Sequence, residues 1–137
     1  MIRLDVETKL SENLKMAFVY TRAEDKMAVL LHLLRRVINT AEQQTLIFAA
    51  TKHHVELLRE ALTLAGFPCA FCYSSLDQAA RKIEVAKFRL KKAMVMVVTD
   101  VAARGIDIPL LDNVINFHFP PKAKGGMDGK LRVLVFL

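Results

Sequence analysis

Three short segments hold the residues best suited to chemistry: TKHH (51–54), YSSLDQAAR (73–81) and TDVAARGID (99–107). Each places a hydroxyl residue where an apolar run gives way to a helical pattern. Thr51, Ser74, Ser75 and Thr99 each carry an Oγ, and behind them the first N–H groups of a helix lack partners inside that helix. Such helix starts are natural phosphate sites. Arg81 and Arg104 add positive charge in the same segments. Any one of these hydroxyls reads first as an ordinary helix cap. Three such helix starts on one edge of a basic chain favour a ligand with several phosphates.

The segments sit in a regular alternation. LKMAFVYT (14–21), TLIFAA (45–50), CAFCYS (69–74), MVMVVT (94–99) and NVINFHF (113–119) read as strands. Between them, 23–38, 52–66 and 76–92 carry apolar residues at helical spacing, and VAARG is a short helical turn. Strands joined through helices require an α/β fold, an open parallel sheet with helices on both faces. The nearly continuous apolar strands agree with burial on both sides. In such sheets ligands bind beyond the carboxyl ends of the strands, where all three segments emerge.

The chain is 137 residues long, 53% hydrophobic and 25% charged, which fits one folded domain. Its net charge of +6 favours an anionic partner, nucleic acid before membrane. The apolar runs fall far short of the roughly 20 residues of a membrane span. Met1 leads into IRLDVETKLS without an apolar core, so no signal peptide is expected. No G-x-x-x-x-G-K-[ST], G-x-S-x-G or H-E-x-x-H occurs, and no acidic pair follows a strand to hold Mg²⁺. Neither catalytic residues nor metal ligands are expected here. Cys69 and Cys72 form C-x-x-C within a strand, where residues three apart face opposite sides; they read as free buried thiols of a reducing compartment.

TDVAARGIDIP closely resembles motif V of the DEAD-box RNA helicases. LDQAARKIEVAKF (76–88) resembles their Q-x-x-R segment, here Gln78 and Arg81, and TLIFAATKHH (45–54) is similar to motif IV. The order and intervals match the second, C-terminal RecA-like domain of that family over residues 14–122. ATKHHVE and PLLDNVINF further resemble a nucleolar subfamily linked to large-subunit ribosome biogenesis.

The resemblance implies a RecA-like fold of the P-loop-NTPase type without its P-loop, and two ligands. One is single-stranded or duplex RNA, held through its phosphate backbone with little base reading. It assigns Thr51, Gln78, Arg81, Thr99, Asp100 and Arg104 to RNA. The other is ATP, shared with an N-terminal RecA-like domain that also holds Mg²⁺; Gly105 and Asp107 fall to the nucleotide, Asp107 at the ribose. The implied location is the nucleus and nucleolus. Asp100 and Arg104, four apart, also suit an intrahelical ion pair, and Gly105 a helix C-cap.

The family pattern next calls for H-R-x-G-R-x-x-R, whose arginines reach the γ-phosphate. Here PPKAKGGMDGKLRVLVFL follows, with Arg132 as its one arginine. Loss of an arginine finger costs about 10³–10⁵ in phosphoryl-transfer rate, so the chain is expected to be inactive alone. The resemblance implies the RNA-binding half of a helicase, with a non-catalytic binding module or truncated isoform as the alternative. Residues 1–13 are then a linker or N-terminal extension and 123–137 a divergent tail. In that tail GGMDGK (125–130) is a loop and RVLVFL (132–137) an edge strand.

Overall fold

The computed structural model describes residues 3–11, 14–21, 23–106, 111–117 and 129–136, with side chains for 24–106 and 111–117. A hairpin, β1 (Arg3–Ser11) and β2 (Leu14–Thr21), opens the chain. A 3₁₀ turn (Ala23–Asp25) leads into α1 (Lys26–His32), which widens into a π-helical stretch, Leu33–Val37. The alternation then runs β3 (Thr45–Ala49), α2 (Lys52–Leu64), β4 (Cys69–Cys72), α3 (Gln78–Arg89), β5 (Val95–Thr99), α4 (Asp100–Arg104), β6 (Asn113–Phe117) and β7 (Gly129–Phe136).

All seven strands join one sheet in the order β1-β2-β7-β6-β3-β5-β4. The four strands β6-β3-β5-β4 are mutually parallel, as the alternation requires. β7 lies antiparallel to both β6 and β2. β2 therefore runs in the same direction as the parallel set, and its helix α1 starts at the same edge as α2, α3 and α4. The tail departs from its expected place: β7 lies inside the sheet, with β2 and β6 on either side, and it takes in Gly129 and Lys130 of the presumed loop. The rest of that loop, 125–128, lies outside the described residues. β1 likewise fills most of the presumed extension and pairs with β2.

Alternate residues of each central strand feed two cores. Ile47 and Ala49 of β3, with Val95 and Val97 of β5, pack under α1 and α2 against Leu30, Leu33, Leu58 and Leu62. Leu46, Met96 and Val98 face the other way, under α3 and α4, against Phe88 and Ala102. Cys69 and Cys72 follow the same rule: Cys69 packs on the first core and Cys72 lies in the second, both as free thiols. Burial raises both thiols, Cys69 to about 12, so neither is a reactive thiolate at neutral pH. No helix among the described residues is long and apolar enough to cross a membrane.

Candidate nucleic-acid interface

The strand order β3-β5-β4 sets the three chemistry-bearing segments side by side at one edge. Thr51 caps α2, its Oγ1 accepting from the His54 N–H at 3.2 Å. Thr99 caps α4 in the same way, accepting from Ala102 N–H at 3.3 Å, and is 8% exposed. α3 differs. Ser74 and Ser75 lie in the turn before it, and Asp77 is the cap, accepting from Ala79 N–H at 3.2 Å. An ionised carboxylate at a helix start also complements the helix dipole better than a hydroxyl does.

Arg81 is the centre of the edge. Its Nη2 donates to the carbonyls of Tyr73, at 3.3 Å, and Ser74, at 2.9 Å. Its Nη1 is turned towards Gly105, 3.9 Å from where a Cβ on that glycine would stand. The Q-x-x-R helix and the motif V segment thus meet at this guanidinium. A cavity of about 410 Å³ opens between them, lined by the polar Gln78, Arg81, Lys82 and Arg89 together with Val85, Gly105 and Ile106. The lining brings together Gln78, Arg81 and Gly105, and leaves out Thr99, Asp100 and Arg104 of the neighbouring segment and Thr51, which caps α2 two strands away from β4.

Asp100 and Arg104 pair with each other at 3.1 Å, both side chains about three-quarters exposed. Such a pair contributes at most a few tenths of a kcal/mol and leaves both groups able to turn to a ligand. Asp107 lies outside the described residues. Among the described residues no group of three or more His, Cys, Asp or Glu side chains is placed to hold a metal ion.

Gly105 is not dictated by the fold. It follows α4 at φ −94, a conformation open to any residue, and an added Cβ would meet nothing closer than the Ala102 carbonyl at 3.8 Å. Gly105→Ala is therefore expected to change stability by less than about 0.5 kcal/mol, while a ligand needing close backbone approach there would bind more weakly. Thermal melts beside titrations with RNA and nucleotide separate the two effects.

The parallel sheet with helices on both faces and the edge built from strand ends define a RecA-like α/β domain. The chain belongs to the helicase conserved C-terminal domain family, which it matches over residues 25–131. More narrowly, it is a DEAD-box RNA helicase C-terminal domain. It is 56% identical over 124 residues to the mouse ATP-dependent RNA helicase DDX54, covering 90% of this chain and 14% of that protein. Among solved structures it resembles a DEAD box protein from the hyperthermophile Methanococcus jannaschii, with a TM-score of 0.65 and 31% identity over 75% of this chain and 27% of that one. It also resembles S. cerevisiae Dbp5 L327V bound to RNA and ADP BeF3, with a TM-score of 0.60 and 27% identity over 76% and 26%. The chain spans 14–15% of the length of the first curated relatives it matches.

Two features of the site were not evident from the residues. The carbonyls that hold Arg81 belong to the backbone, which side-chain patterns do not report. Lys26, at the start of α1 on the same edge, is 2% exposed, with its Nζ 5.1 Å from the centre of the Phe117 ring. That ammonium has no hydrogen-bond partner among the described residues. Burial lowers its pKa to about 8.

Proposed function

We propose that this domain is the RNA-clamping half of an ATP-dependent DEAD-box RNA helicase acting in ribosome biogenesis in the nucleolus. It holds the phosphate backbone and meets ATP across a cleft completed by an N-terminal RecA-like domain. The observation that carries this is Arg81, whose Nη2 is fixed on two carbonyls while the guanidinium lines a cavity shared with Gln78 and Gly105. Pinning one nitrogen leaves the rest of a delocalised cation set in place, so little side-chain entropy remains to be lost when a phosphate arrives. The Thr51 and Thr99 helix starts offer further N–H donors along the same edge, and Gln78, Asp100 and Arg104 complete the RNA set. Gly105 and Asp107 serve the nucleotide, Asp107 at the ribose. The likeness to a Dbp5 structure described as bound to RNA and ADP BeF3 supports both ligands.

The test is binding of a single-stranded oligonucleotide of mixed sequence to the 137-residue chain across a salt series. Affinity is expected to fall steeply with salt. Arg81→Ala is expected to weaken binding about tenfold and to make the salt slope shallower by about 0.7, the share of one phosphate contact on a single strand. Equal affinity and slope in Arg81→Ala and the parent chain would overturn the assignment.

A further inference from the structure

Arg81 depends on the carbonyls of Tyr73 and Ser74, which leave the end of β4 as an exposed turn. The turn closes on itself through the Leu76 N–H, which donates to the Tyr73 carbonyl at 3.0 Å, and its other anchor lies on the opposite face of the sheet. The Tyr73 hydroxyl donates to Glu56 Oε1 of α2 at 3.0 Å, and Glu56 Oε2 accepts from Arg59 at 2.8 Å. The hydrogen bond from Arg59, backed by that from Tyr73, keeps the Glu56 carboxyl below the usual carboxylate range, so the acceptor is ionised at neutral pH. The ring is held as well: Lys52 Nζ stands 5.1 Å from its centre and Phe71 lies beside it at 6.0 Å, itself under the Arg59 guanidinium.

Tyr73 thus has its side chain tied to α2 and its carbonyl to α3. We propose that Tyr73, anchored on Glu56, is a positioning residue for RNA binding: it fixes the strand end whose carbonyls hold Arg81 at the phosphate site. Its premise is the RNA contact proposed above for Arg81. A flexible arginine loses rotamer freedom when it binds a phosphate, whereas one already docked on two fixed carbonyls does not. Loosening the strand end returns that freedom and moves the guanidinium off the cavity.

The test is a double-mutant cycle on RNA affinity. Tyr73→Phe keeps the ring with its Lys52 and Phe71 contacts and removes only the hydroxyl. It is expected to weaken single-stranded RNA binding about threefold to tenfold and to reduce the salt slope as Arg81→Ala does, with the melt still cooperative. On an Arg81→Ala background the same change is expected to have almost no further effect, because Tyr73 acts through that arginine. Glu56→Gln, which keeps an acceptor for the hydroxyl, is expected to bind RNA better than Glu56→Ala. Equal losses from Tyr73→Phe in both backgrounds, or affinity unchanged in the Arg81 parent, would overturn the strut while leaving the RNA site standing. Arg81→Ala without effect would overturn the RNA site, and the strut with it.

Discussion

Phe88→Ala is expected to destabilise the domain by about 3–5 kcal/mol, a large share of the roughly 5–15 kcal/mol that holds a domain of this size together. Phe88 is 1% exposed, on the inner face of α3, and fills the core beneath that helix with Leu46, Ala70 and Met96. Removing the ring forfeits its burial and leaves a void that rigid strands on one side cannot close. The backbone there is also engaged, since the Phe88 carbonyl accepts from Gln44 Nε2 at 2.6 Å. A collapse of α3 into the void would therefore strain a buried hydrogen bond. Phe88→Leu, which keeps most of the volume, is expected to cost far less, about 1–2 kcal/mol. Urea unfolding followed by circular dichroism checks both; a loss below about 1 kcal/mol in the alanine variant would show that the second core is not packed as described.

Lys26→Met is expected to act in the opposite direction, raising stability by about 1–2 kcal/mol at neutral pH. Burial that lowers the lysine from 10.5 to about 8 corresponds to a desolvation cost of about 3 kcal/mol when the group is charged. The contact with the Phe117 ring returns about 1–2 kcal/mol of it. Methionine keeps the stem and drops both contributions, and the desolvation term is the larger. The pH dependence has a definite sign. Below about pH 8 the lysine is protonated in both folded and unfolded chains, and the cost is constant. Between about 8 and 10.5 the unfolded chain holds a proton that the folded chain has released, so stability rises with pH. The parent chain is expected to gain on the variant over that window, as read from unfolding midpoints at a series of pH values. A constant difference across the window would mean that Lys26 is not desolvated.

The four central strands were legible because burial on both faces leaves so direct a trace: Thr45–Ala49 and Val95–Thr99 carry almost no polar residue to mark an exposed side. The caps at Thr51 and Thr99 were legible for the same local reason, since capping needs only a residue type and its position. At α3 the rule failed in detail. Two serines precede an aspartate, and the residue nearest the helix took the cap. Position within the sheet was beyond reach for β7, because partner choice depends on which edge of β6 is open and not on the composition of RVLVFL. The π-helical stretch Leu33–Val37 likewise has the apolar spacing of an ordinary helix. As for the site, Gln78, Arg81 and Gly105 were identified as separate motif residues, and their convergence needed the fold. The anchoring of Arg81 on Tyr73 and Ser74, and of Tyr73 on Glu56, joins residues from three different elements and leaves no periodic trace.

The place of β7 bears on how the domain is made. β2 ends at Thr21 and reaches the core only through a strand that begins at Gly129. On a ribosome delivering the chain from its amino end, the β1–β2 hairpin emerges before the parallel strands and cannot join the sheet until β7 has followed them. The parallel strands and their helices are free to assemble in the meantime. Closure then brings together segments far apart in the sequence, a slow, entropically costly step of the kind that sets folding rates. Until it occurs, one edge of β6 stands unpaired, which leaves the nascent domain open to mispairing until β7 is made.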